Sequence, residues 1–266
     1  MQRSVTSALR AQITSPAEIA LSVMVSKQAN PVQETLSITV DGASVKATEV
    51  EGAQGSRWHL LKDVPSGQFA VDYQAVVESG GESAELTAMD RIHWIRPSRY
   101  VDVDRLENVS RQLFGNYQGK ELVLEVANYV NETTAYILGS SRVTDGASET
   151  FMSKSGVCRD FAHLTIAFLR ACGVPARLVS AYAPGLSPMD FHAVVEAHVE
   201  GQWFVVDPTR LAPRASLVRI ATGADASETA FLTTHSGGLR FNSLNVTAVA
   251  MPGLLPDNHD DLISLG

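Results

Sequence analysis

Gly156 to Arg177 reads GVCRDFAHLTIAFLRACGVPAR, and no other stretch constrains the fold as tightly. Phe161, Leu164, Phe168 and Cys172 recur at helical spacing, and Ile166 and Leu169 widen the stripe. Gly173 supplies a stop, with Pro175 two residues on. The pattern predicts a buried helix of about four turns that opens at Cys158. Unpaired N–H groups and the positive end of the helix dipole gather there, and both favour thiolate over thiol. Cys158 is therefore a candidate nucleophile.

The chain of 266 residues is 45% hydrophobic and 19% charged, a balance that builds a folded core. A net charge of -8 without a Lys/Arg cluster argues against nucleic-acid binding. Cys158 and Cys172 lie about 21 Å apart along one helix at 1.5 Å per residue, too far to bridge. Two unpaired cysteines, no secretory-type apolar run in MQRSVTSALRAQIT and no run of 18 apolar residues lead to the expectation of a cytoplasmic protein without a membrane span.

Up to about Pro97 the pattern has period two. Ile19 to Val25, Leu36 to Val40 and Phe69 to Val77 alternate, with turns at Asp41-Gly42, Pro65-Ser66-Gly67 and Gly80-Gly81. These strands predict an N-terminal β-sandwich over residues 1–97. After Arg96-Pro97-Ser98-Arg99-Tyr100 the period becomes helical. Leu106, Val109 and Leu113 end at Gly115, Leu122 to Val130 forms a second helix, and a short third one is expected with Ser148 as its N-cap. Strands follow at Leu178–Tyr182, Phe191–Val199 and Gln202–Asp207. The helices and strands of 98–216 form an α+β core, and 217–266 is read as a β-rich extension with a frayed tail from Pro252.

Glu200-Gly201 suits a two-residue hairpin turn. Residue numbers of opposed partners then sum to 401, so Asp207 faces Val194 and lies diagonal to His192 on one sheet face, within side-chain reach. A nucleophilic cysteine needs a base, and the base needs an orienting acceptor. Cys158, His192 and Asp207 satisfy that requirement in chain order. A zinc site from the same three residues has no supporting ligand spacing, and no cofactor is expected. Cys172 and His163 are read as packing or hydrogen-bonding residues, His198 as a solvated strand residue, Asp160 as an electrostatic cap, and Asp257 to Asp261 as a solvated tail.

GVCRDFAH, GVPAR-x-VS-x-Y from Gly173 to Tyr182, His192-Ala193 and Trp203 to Thr209 together resemble the bacterial transglutaminase-like superfamily, most strongly over residues 151–210. The resemblance implies a papain-like core and an N-terminal β-rich region. It makes Cys158 the nucleophile, His192 the base and then acid, and Asp207 the residue that fixes the imidazole. The implied reaction is thioester-forming attack on peptide or glutamine-type amides, in the manner of a cysteine protease, on a peptide or protein substrate. Two departures mark this chain. Val194 stands where many relatives carry tryptophan, and no tryptophan lies between Trp94 and Cys158 to serve as the upstream oxyanion aid of animal transglutaminases. Hydrolysis is thus favoured over amine transfer, and the alternative from another class is an inactive module that binds a peptide or protein partner.

Iodoacetamide should alkylate Cys158 ahead of Cys172 near neutral pH, read by peptide mass spectrometry. Equal, slow labelling of both would contradict the assignment of Cys158 as nucleophile.

Overall fold

The computed structural model describes residues 1–78 and 85–265; the expected Gly80-Gly81 turn lies outside them. The first part of the chain is strands: β1 (Gln2–Leu21), β2 (Pro31–Val40), β3 (Ala43–Ser44), β4 (Thr48–Glu51), β5 (Arg57–Val64) and β6 (Gly67–Val77). Helices follow at α1 (Ala88–His93), α2 (Val103–Phe114) and α3 (Gly119–Thr133). After β7 (Ala135–Tyr136) come α4 (Ala147–Ser153), β8 (Ser155–Gly156) and α5 (Cys158–Ala171). The chain closes with β9 (Ala176–Tyr182), β10 (Phe191–Val199), β11 (Gln202–Val206), β12 (Val218–Gly223) and β13 (Leu232–Met251).

Strand β1 organises the N-terminal layer. Its odd-numbered residues from Val5 to Ile13 are buried and most of the even ones are not, the pattern of a strand with one face on a core. Along one edge it pairs antiparallel with β6 and then with β5, and along the other with β13 over its whole length. The resulting antiparallel sheet of seven strands, β3-β2-β6-β1-β5-β4 with β13 beside β1, closes on one inner core that includes Leu9, Ile19, Leu61 and Phe69. The sandwich expected here is thus built from one continuous sheet. Clear alternation begins only at Ile19, because Ser7 and Ala11 on the inner face of β1 weaken the pattern before it.

The described residues after 217 are β-rich as expected, but their placement differs. They form no layer of their own: β12 joins β9 in the second sheet, and β13 covers the open edge of β1. An uncovered edge of twenty residues would expose a row of unpaired backbone groups. Nor is the tail frayed. Arg214 donates to Asp257, Ile263 bridges to Val205, and Leu265 is buried.

The second sheet has the order β11-β10-β9-β12. One face carries α5, whose apolar residues share a core with α2, α3 and α4. Gly115 caps α2, while α4 begins at Ala147 with Gly146 as N-cap, so Ser148 lies inside the helix. Glu196 on β10 accepts from Arg177 on β9 and Arg219 on β12, all three buried, and tethers three strands through one carboxylate. The two charged partners hold that carboxyl down at about 2 against the opposing effect of burial. Tyr182 and Ile220 reach into the N-terminal core, so the two layers share apolar contacts.

Gly237 sits where β13 bulges against β1. Its φ is +79°, and a Cβ there would lie 2.1 Å from the Pro16 carbonyl oxygen and 2.6 Å from the Ala17 Cα. Gly237→Ala should lower stability by about 1–3 kcal/mol, measured by urea denaturation; an unchanged midpoint would contradict the bulge as a fixed feature.

Candidate active site

Cys158 is the first residue of α5, and Val157 is its N-cap. Valine has no side chain able to cap, and Asp160 takes over. Its Oδ2 accepts the Val157 N–H at 2.8 Å and its Oδ1 accepts the Ser141 hydroxyl at 2.9 Å. The carboxylate is itself buried. This close approach explains the glycine before the motif: a Cβ on Gly156 would meet the Asp160 Cβ at 2.6 Å. Asp160 therefore caps by direct hydrogen bonds. Arg159, at the cavity rim, donates through Nη2 to Ser141 Oγ and the Arg142 carbonyl, and its Nε is buried without a partner.

His192 lies at the start of β10 and Asp207 just past the end of β11. Glu200 and Gly201 both have positive φ, 51° and 81°, which makes the tight turn that matches strand twist. The observed partners Val195↔Val206, Glu196↔Val205 and Ala197↔Phe204 reproduce the register read from the sequence. His192 Nε2 meets Asp207 Oδ2 at 2.8 Å with both side chains wholly buried. Thr209 also holds the carboxylate, its N–H and hydroxyl donating to Oδ1 at 2.9 and 2.6 Å, with the hydroxyl oxygen 3.4 Å from His192 Nε2. His192 Nδ1 is buried without a hydrogen-bond partner. Cys158 and His192 border one cavity.

The electrostatics follow from these contacts. Burial disfavours the imidazolium, but the Asp207 charge and hydrogen bond outweigh it, the Cys158 side chain adds to them, and His192 is raised to about 10. Asp207 is held below the ordinary carboxylate range: burial pushes it up, and His192 and Thr209 more than compensate. Both shifts point the same way, toward an imidazolium paired with a carboxylate.

Tyr136 was missed in the sequence. Parallel pairing of β7 with β8 sets it opposite Gly156, its ring packs against Phe161, and its hydroxyl lies against the backbone N–H and thiol of Cys158. Burial and the neighbouring Cys158 charge push the phenol up to about 12. Two-residue strands leave no periodic signal. Other residues take structural places. Cys172 is half-buried against the helical core, and burial raises its thiol. His163 is fully buried, stacks on Tyr100 at 5.3 Å and accepts the Ala226 N–H through Nε2. His198 is only partly exposed, edge-on to Trp203. Among the described residues no group of three or more His, Cys, Asp or Glu side chains could hold a metal ion. No helix among them is long and apolar enough to cross a membrane.

Residues 107–208, which contain Cys158, His192 and Asp207, match the family model of the transglutaminase-like superfamily. The fold superposes on the crystal structure of a candidate cysteine protease from Cytophaga hutchinsonii with a TM-score of 0.87, at 30% identity over 97% of this chain and 93% of that one. The chain belongs to the transglutaminase-like superfamily. An uncharacterised protein of Mycobacterium leprae is 30% identical over 172 residues, 54% of this chain. The match spans 59% of that relative's length. An uncharacterised Mycobacterium tuberculosis protein is 39% identical over 62 residues, 23% of this chain and 20% of its own.

The raised pKa of His192 has a thermodynamic consequence. With a folded value of about 10 and an unfolded value of 6.5, the protonated ring contributes stability that is complete below about pH 6.5 and is lost as pH rises through about 10. The stability gap between the native chain and Asp207→Asn should therefore narrow across that window in urea titrations. A gap independent of pH would refute the buried ion pair.

Proposed function

We propose that this transglutaminase-like protein is a thiol-dependent acyl hydrolase acting on peptide or protein amides. The observation that carries the reading is the buried His192–Asp207 pair beside Cys158 at the opening of α5. Residues 98–216, closed by β12, form the proposed catalytic core, and the antiparallel sheet flanks it. Two free cysteines accord with a reducing compartment, and we assign the protein to the cytoplasm.

In the proposed reaction the Cys158 thiolate attacks the carbonyl carbon, forming the C–S bond and a tetrahedral oxyanion. The Cys158 backbone N–H has no partner within the helix and faces the Tyr136 hydroxyl, and we assign it to receive the negative oxygen once substrate displaces that hydroxyl. Collapse of the intermediate breaks the C–N bond, and His192 passes its proton to the departing amine, leaving a thioester. His192, now neutral, takes a proton from water as the water adds to the thioester carbon. The second collapse releases the acid, with the sulfur again as thiolate and the imidazole again charged. Asp207, clamped by Thr209, holds the ring in place throughout. An amine in place of water would give transamidation by the same steps; hydrolysis is the preferred outcome.

Cys158→Ala should abolish turnover while preserving the fold, and Asp207→Ala should reduce kcat by at least about a hundredfold. Incubation with a peptide library should yield a Cys158 acyl-enzyme detectable by intact mass, discharged by water faster than by added amines. Amide turnover retained in Cys158→Ala would overturn the proposal.

A further inference from the structure

The cavity beside Cys158 has a floor that the proposed chemistry leaves unused. It has a volume of about 290 Å³ and lies between the two layers, lined by Ser22 after β1, Leu178 and Ser180 on β9, Ile220 on β12 and Phe231 before β13. Most of this lining is hydrocarbon. Within it, Ser22 Oγ and Ser180 Oγ are buried without a hydrogen-bond partner, and Ser22 has no exposure at all.

Unpaired buried hydroxyls are costly, about 1–3 kcal/mol each, and native folds rarely keep two in one place without a use for them. Each can donate and accept, so together they suit a group that offers both functions. Three chargeable groups border the cavity. Asp190 accepts the Phe191 N–H at 2.7 Å, His192 is paired with Asp207, and Arg159 donates from Nη2 to Ser141 and Arg142 while its Nε is buried and unpaired. On the floor itself an ionised side chain would lose its hydration and meet only Ser22, Leu178, Ser180, Ile220 and Phe231, none of them charged.

We propose that this cavity is a substrate subsite selecting an uncharged side chain with a hydrogen-bonding end, amide or hydroxyl, on the residue next to the attacked carbonyl. The inference rests on the acyl-transfer reading and adds specificity to it. A second cavity of about 600 Å³ shares Cys158, Asp190 and Phe191 with the first and is lined by apolar residues such as Leu138, Leu186, Pro188 and Leu211. It leaves room for the rest of the chain.

The test uses three peptidyl vinyl sulfones, identical except for Gln, Met or Glu beside the electrophile. These side chains are near-isosteric and differ in polarity and charge. The rate constant for modification of Cys158 in the full chain is read by intact mass. The Gln probe should react about tenfold faster than Met, as one net hydrogen bond allows, and faster still than Glu. In Ser22→Ala and in Ser180→Ala the Gln to Met ratio should fall toward one. Modification of Cys158 at equal rates by all three probes, or a Gln to Met ratio unchanged in both serine variants, would overturn the subsite and leave the acyl chemistry standing. Failure of every probe to modify Cys158 in the native chain, with no acyl-enzyme formed from peptides, would overturn both.

Discussion

A turn of two residues decides what this fold can do. Glu200 and Gly201, both at positive φ, lock β10 to β11 in a single register, and a slip of one residue would send His192 or Asp207 to the opposite face. In the register observed, an imidazole and a carboxylate meet at 2.8 Å in a place closed to solvent. Burial disfavours the charged ring; the carboxylate outweighs that and favours the imidazolium. Such a pair depends on further hydrogen bonds in a low-dielectric setting; the Thr209 N–H and hydroxyl supply them to Asp207, while His192 Nδ1 faces the Cys158 cavity without a partner.

The other half of the site depends on a helix that starts without a conventional cap. Val157 cannot accept a hydrogen bond through its side chain, so Asp160 reaches back to its N–H, and only glycine at position 156 leaves space for that return. The GVCRD run is thus one local solution: room, cap residue, proposed nucleophile and capping carboxylate. The second sheet then carries helix and hairpin together. The Arg177–Glu196–Arg219 cluster ties β9, β10 and β12, and β12 and β13 join them to the curled N-terminal layer that walls off the cavity beside Cys158.

Much of this was legible in the residues. Helix α5 and strand β10 announce themselves by apolar periodicity, and the hairpin register follows from turn chemistry and arithmetic. Three features carried no such signal. The first half of β1 hides behind serine and alanine on its inner face, whose burial depends on the partner strands. Tyr136 reaches Cys158 through a parallel pairing of two residues each, too short for any period. The C-terminal segment reads as strands, but which sheet each one joins is a long-range choice, set by the uncovered edge of β1 and by the β9 edge that β12 fills. The docked tail was misread for the same reason: Asp257 looks like one more solvated acid until Arg214 is seen beside it.

The central claim is that Asp207 holds His192 as a cation at the side of Cys158. Nitrogen NMR of the imidazole, with histidines isotopically labelled and His192 assigned by substitution, measures this directly between pH 5 and 11. The account predicts that both ring nitrogens of His192 stay protonated through neutral pH and titrate near pH 10, and that Asp207→Asn abolishes that behaviour. A His192 ring that is neutral at pH 7, or that titrates near 6.5 whether or not Asp207 is present, would contradict it.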